Sequence, residues 1–237
     1  MSVSLNGGLR SSDVAEQQLI RSIISGEFPA GGELPPERNL SLQLGVGRPA
    51  LREALQRLER DGWLTLRQGR PALVNDYWQK GNLYTLVNLA QAVEKLSQDF
   101  IVHLLELRTA LAPVYISQAV AKNPAKVVAL LADWEALAEQ AEAYAVFDWE
   151  LHKKTAVLCG NPLYVLLLNS FDPVYIPLAI RYFQPRSHRQ ASRRFYAALL
   201  AAAMAGDAAR TEIIVREAML ESIALWQEKG AAEDQAP

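Results

Sequence analysis

What most constrains the fold is a stretch in which two short helical patterns run into a strand pattern with almost nothing between them. Pro35 and Pro36 open the first pattern, since prolines in a first helical turn forfeit no intrahelical hydrogen bond, and Gly45 closes it. That predicts a helix of about three turns. Gly47 or Arg48 falls in the cap region of the next helix, with Pro49 in its first turn. Leu51, Leu55 and Leu58 then recur at helical spacing until Asp61-Gly62. After Gly62 the period shortens: WLTL and ALVN flank RQGRP, whose Gly69 marks a tight turn between Arg67 and Arg70. Two helices joined by a few residues and followed by a hairpin make a winged helix-turn-helix. A helix precedes it, opened by the capping-box-like pair Asp13 and Glu16, with Leu19, Ile20, Ile23 and Ile24 in one stripe ending near Gly26.

The chain carries a formal charge of only -2, yet between Arg38 and Arg70 it has seven arginines against three acids, Glu53, Glu59 and Asp61. Overall neutrality hides a local basic patch. Arg48 and Arg52 stand one turn apart on a face that Leu51, Leu55 and Leu58 do not use. The helix N-terminus adds exposed N–H groups and partial positive charge, as recognition helices do toward phosphates and base edges. Arginine also matches guanine O6 and N7 in the major groove. A solvated amphipathic helix would not explain why turn, helix and wing occur together, so the expected partner is double-stranded DNA.

From about Tyr77 the sequence is helical almost throughout, broken at Asn123-Pro124, Gly160-Asn161-Pro162, Gln184-Pro185 and Gly206-Asp207. The expected fold class is mostly α. A winged helix-turn-helix over residues 1–76 and a linker region over 77–96 lead into an all-helical ligand-binding bundle of six or seven helices over 97–230, with a disordered tail over 231–237. Cys159 is the single cysteine, which excludes an intrachain disulfide framework and fits a reducing cytoplasm. The opening MSVSLNGGLRSSD lacks the basic start and apolar run of a signal peptide, and the apolar stretch Phe195 to Gly206 is too short to span a bilayer, so no membrane is expected. No Gly-rich phosphate loop, GxSxG or HExxH motif is present, so neither an enzyme nor a cofactor is expected.

The segment FPAGGELPPERNLSLQLGVGRPALREALQRLERDGWLTLRQGRP resembles the DNA-binding domain of the GntR family of bacterial transcription regulators. The likeness to its fatty-acid-responsive FadR subfamily continues through VNDYWQK, LRTAL, CGNPLY, RYF and LESIALW, over residues 11 to 228. The resemblance implies DNA contacts from Arg38, Arg48 and Arg52 in the helices and from Gln68, Gly69 and Arg70 in the wing, where the glycine lets the hairpin tip enter the minor groove. Gly47, Pro49 and Ala50 depart from the hydroxyl residues that often touch phosphate there, and Gln68 replaces a histidine. A homodimer on a pseudo-palindromic operator is implied as well. So are repression of fatty-acid degradation genes and activation of unsaturated fatty-acid synthesis.

In the helix beginning near Asp99, Ile101, Leu104, Leu105, Leu111, Ala112 and Tyr115 mark an apolar stripe with Arg108 in its middle. A charge on a buried face needs a partner: an internal acid or an anionic ligand. In the last helix Glu221 shares a face with Ile214, Ala218 and Leu225, so Arg108 and Glu221 are candidates to pair without ligand and to be re-paired by one. The resemblance implies that the effector is long-chain acyl-CoA and that Arg108, Tyr182, Glu221, Ser222 and Trp226 line or border its site. An acyl tail would gain about 0.8 kcal/mol per buried CH₂. Arg181, Arg186, Arg189, Arg193 and Arg194 offer cations to the CoA phosphates, or form a solvated cluster. The rival is a metal-dependent sensor of a small organic acid. GntR relatives of that kind carry an Asp and three His, and Asp148 and His152 have ligand spacing on one helix face. The other two positions fall on Tyr196 and near Ala218; His103 and His188 lie outside the pattern.

Overall fold

The apolar stripes read above become buried or half-buried seams, and the chain divides into two units, residues 1–94 and 95–237. The computed structural model describes residues 10–92 and 97–234. In the N-terminal unit α1 (Ser11–Ile24) buries Ala15, Leu19, Ile20 and Ile23. It begins two residues before Asp13, because Asp13 accepts a hydrogen bond from the Arg10 backbone N–H at 3.3 Å and so serves at the third helical position. α2 (Glu37–Gln43) is about two turns rather than three, since Pro36 stays outside it as the cap. α3 (Arg48–Arg60) starts from Gly47 and buries Leu51, Ala54, Leu55 and Leu58.

The wing is β1 (Leu64–Arg67) paired antiparallel with β2 (Arg70–Val74), Leu64 opposite Val74 and Arg67 opposite Arg70. Gly69 turns the hairpin at φ +69°. The other edge of β2 receives residues 31–34: Gly31 N–H donates to Val74 O and Leu34 N–H to Ala72 O, both at 2.8 Å. The stretch expected as a linker carries α4 (Tyr77–Lys80) and α5 (Leu83–Ala92). α5 packs on α1 and buries Val87 and Leu89, because its apolar positions keep the helical period that α1 needs covered. Residues 93–96 of that stretch lie outside the described residues.

Gly62, where α3 gives way to the wing, has φ +87°, and a Cβ there would lie 2.2 Å from the Lys80 carbonyl oxygen. Both conformation and space exclude a side chain. Gly62→Ala is therefore expected to destabilise the N-terminal unit by about 3 kcal/mol, measured by urea denaturation. An unchanged midpoint would show that the α4 backbone yields at no cost.

The C-terminal unit contains α6 (Gln98–Lys122), α7 (Pro124–Leu130), a single 3₁₀ turn (Trp134–Ala136), α8 (Ala141–Leu158), α9 (Pro162–Phe183), α10 (Arg186–Ala205) and α11 (Ala208–Asp234). All four expected breaks fall between helices. Ser97 caps α6 through the Phe100 N–H, Asn161 caps α9 through the Leu163 N–H, and Gly206 ends α10 at φ +64°. α6 packs chiefly on α11, and α8 on α9. Ala112, Ile116, Tyr144, Ala156, Tyr196, Leu199 and Val215 form the core. By length and composition α6 and α9 are apolar enough to cross a membrane, which Phe195 to Gly206 is not. Both are helices of this bundle and wall its cavity. The last helix runs to Asp234, so the tail expected from residue 231 is helical backbone to that point, and 235–237 lie outside the described residues.

Candidate nucleic-acid interface and ligand cavity

The seven arginines of the basic patch divide by task. Arg57 of α3 donates to Asp13 at 2.7 Å and Glu16 at 3.1 Å, both on α1, and to Glu53 at 2.5 Å. Arg60 pairs with Asp61, and Arg67 with Glu33 at 2.6 Å. Arg57 and Arg67 thus tie distant segments of the unit together, while Arg60 pairs with its own chain neighbour. Arg38, Arg48, Arg52, Gln68, Gly69 and Arg70 are all exposed. Arg52, Gln68, Gly69 and Arg70 border one groove of about 580 Å³ between the helices and the wing, while Arg38 and Arg48 lie outside it. Arg52 leans on Glu37 at 2.8 Å; Arg38, Arg48 and Arg70 make no ion pair among the described residues. The surface thus offers cations along a helix N-terminus and at a hairpin tip, where an anionic polymer can meet both.

In the C-terminal unit an apolar cavity of about 120 Å³ opens among α6, α8, α9 and α11, walled by Leu104, Leu111, Phe171, Leu178 and Trp226. Arg108 lines it, and also lines a polar pocket of about 20 Å³ beside Asp148, Tyr182, Glu221 and Ser222. Its Nη2 donates to Ser222 Oγ at 2.8 Å. Its Nη1 lies 3.4 Å from Tyr175 Oη and 3.7 Å from Asp148 Oδ2. Asp148 in turn accepts from Tyr175 Oη at 2.6 Å and Tyr196 Oη at 2.9 Å. Burial alone would lower the pKa of Arg108, but Tyr175 and Asp148 outweigh it and hold the guanidinium charged. A charge-assisted chain, arginine to tyrosine to aspartate, thus stands in the wall that an apolar space shares with a polar pocket.

The expected partnership of Arg108 with Glu221 is not what forms. Glu221 is on the surface and pairs with Arg194 at 2.6 Å, whereas Ser222, one position on, is the buried one. Arg108, Tyr182, Ser222 and Trp226 are brought together, with Glu221 at the rim. Trp226 is 1% exposed and its ring is flanked by Arg181 and Lys229 at 5.2 and 5.3 Å. Of the other arginines, Arg189 donates to the Phe183 and Gln184 carbonyls at the end of α9, and Arg193 lies over Trp134. Sequence reasoning missed Tyr175 and Phe171. Their signal was the spacing of Phe171, Tyr175 and Tyr182 along one side of α9.

Asp148 and His152 do share a helix face, with His152 Nε2 3.6 Å from Asp148 Oδ2. Both carboxylate oxygens are taken by tyrosine hydroxyls, and His152 Nδ1 is 2.5 Å from Tyr115 Oη. No group of three or more His, Cys, Asp or Glu side chains converges among the described residues. His103 is exposed, and His188 is buried with its ring 4.5 Å from Tyr182.

Burial lowers His152 from the ordinary 6.5 to about 4, against the pull of Asp148. The unfolded histidine takes up its proton near 6.5 and the folded one only near 4, so the unfolded state binds more protons between those values. Stability is expected to fall by about 3 kcal/mol as pH drops across that window. His152→Phe should flatten this part of the pH profile in thermal melts, and an equal slope in the variant would assign the loss to other groups.

The sequence of residues 11–74 matches the family described as bacterial regulatory proteins, gntR family, and residues 75–234 match the FadR C-terminal domain. The chain is 38% identical over 217 residues to the fatty acid metabolism regulator protein of Shewanella frigidimarina, covering 90% of this chain and 89% of that one. It is 40% identical over 186 residues to the protein of that description from Pasteurella multocida, covering 78% and 77%. A solved structure of Lar, which controls the expression of the Listeria monocytogenes agr system, superposes with a TM-score of 0.59 at 18% identity over 94% of this chain and 99% of that chain.

Proposed function

The chain belongs to the GntR family of bacterial regulatory proteins, as a transcription regulator of the fatty acid metabolism type and not an enzyme, and on that premise we propose that long-chain acyl-CoA releases it from its operator. In this reading a cytoplasmic homodimer places Arg38, Arg48, Arg52, Gln68, Gly69 and Arg70 on each half of a pseudo-palindromic site. It represses fatty-acid degradation genes and activates unsaturated fatty-acid synthesis.

The observation that carries the effector is the apolar cavity with a charged arginine that it shares with a polar pocket. An acyl tail wants the first and a thioester carrying anionic phosphates wants the second. At about 120 Å³ the cavity is of the size that accepts one benzene ring, roughly 150 Å³, so a long chain enters by parting its walls. The wall with the weakest backbone ladder is α9, where Pro173 and Pro177 remove two donors. Ligand that favours the parted arrangement shifts the DNA-binding equilibrium by its differential affinity for the two states.

The test is tryptophan fluorescence and calorimetry of chelator-treated protein with oleoyl-CoA, against free CoA and citrate plus zinc. Saturable binding of oleoyl-CoA alone, about one per protomer, is expected. A response confined to metal and acid would transfer the sensing role to Asp148 and His152 and leave the DNA argument intact.

A further inference from the structure

We propose that the cavity selects acyl chains bearing an oxygen atom close to the thioester, as 3-hydroxyacyl and 3-oxoacyl thioesters do, and that His152 is the residue that discriminates them. This rests on the acyl-thioester reading above.

His152 lines the apolar cavity and is 1% exposed. The Tyr115 phenol, kept protonated by burial, lies 2.5 Å from Nδ1. Donation of its proton to Nδ1 puts the imidazole hydrogen on Nε2, a tautomer assigned from this network. Among the described residues no group accepts from Nε2. The nearest carboxylate oxygen, Asp148 Oδ2, is 3.6 Å away and already receives the Tyr175 hydroxyl, too long for a hydrogen bond. A donor is thus held in an apolar wall with nothing to meet, which an unbroken run of CH₂ groups would leave unmet.

Arg108 lines the same cavity, and its Nε is likewise without an acceptor among the described residues. The two side chains are close, since both approach one oxygen: Asp148 Oδ2 is 3.7 Å from Arg108 Nη1 and 3.6 Å from His152 Nε2. With the thioester at Arg108, the carbon that passes His152 is among the first of the chain. A hydroxyl or keto oxygen there accepts from Nε2–H. A site built around such a donor disfavours an analogue that lacks the oxygen more strongly than an apolar site disfavours one that has it.

Calorimetry of the full chain with palmitoyl-CoA, 3-hydroxypalmitoyl-CoA and 16-hydroxypalmitoyl-CoA tests this. The 3-hydroxy ligand is expected to bind about tenfold tighter than palmitoyl-CoA, the worth of one hydrogen bond to a buried donor, and the 16-hydroxy ligand no tighter. His152→Phe should abolish or reverse the preference. Equal binding of the 3-hydroxy and plain ligands, a matching gain from the 16-hydroxy ligand, or a preference that survives in His152→Phe would each overturn the inference while leaving the acyl-CoA reading in place. Failure of all three thioesters to bind would overturn both.

Discussion

Replacement of Arg108 by alanine is expected to abolish release from operator DNA by oleoyl-CoA while leaving operator affinity without ligand within about twofold. The guanidinium is held by Ser222 Oγ at 2.8 Å, Tyr175 Oη at 3.4 Å and Asp148 Oδ2 at 3.7 Å, and it lines both the apolar cavity and the polar pocket. Its loss removes the ligand's charged anchor and also leaves Asp148, 5% exposed at its side chain, with only two tyrosine donors. Breaking a buried pair from one side costs about 3–5 kcal/mol, so the C-terminal unit should melt earlier as well. Arg108→Lys keeps the charge but has no planar fork to span serine, tyrosine and aspartate, so part of the response should be lost. Fluorescence anisotropy of labelled operator with increasing oleoyl-CoA measures this directly. Undiminished release by folded Arg108→Ala protein would move the effector site elsewhere.

The need for an inward partner for Arg108 was legible from its place in an apolar stripe; which partner it takes was not. Glu221 and Ser222 are adjacent on α11, and the helical period alone tolerates either as the inward residue, since one position is about 100° of rotation and side chains lean along the helix. Packing decided for Ser222, whose small hydroxyl fits where a carboxylate would need burial. Asp148 was visible only as half of a metal pair, because its spacing to His152 is a local property, whereas the tyrosines that occupy it come from α9 and α10. Side chains that meet across helices far apart in sequence leave no periodic trace.

In the N-terminal unit the order was reversed, and almost every element could be read. Proline, glycine and the change of period mark each boundary of α2, α3 and the wing within a few residues. What stayed hidden was the assignment of individual arginines: nothing local says that Arg57 meets α1 while Arg52 faces outward, since both lie off the Leu51–Leu55–Leu58 seam. Only α1, in place with Asp13 and Glu16 aimed at Arg57, separates them.

That separation makes Arg52→Ala the sharper test of the proposed DNA surface. Arg52 is 66% exposed at its side chain and pairs with Glu37 at 2.8 Å, a contact that contributes little to stability in solvent and is readily exchanged for a phosphate or a base edge. Losing one such contact costs about 1–3 kcal/mol, and the proposed dimer loses it twice, so operator affinity should fall by at least about 30-fold. Arg48→Ala, whose arginine makes no ion pair among the described residues, should show the simple loss. Arg52→Ala should exceed it, because Glu37 then faces the DNA uncompensated, and adding Glu37→Gln should recover the excess. If the lost contacts are to phosphate, the slope of log affinity against log salt should become shallower by roughly 0.9 per contact, uniformly across sequences. If they are to bases, the slope should hold and half-site preference relax instead. Unchanged binding in both single variants would remove α3 from the interface and leave the wing as its main support.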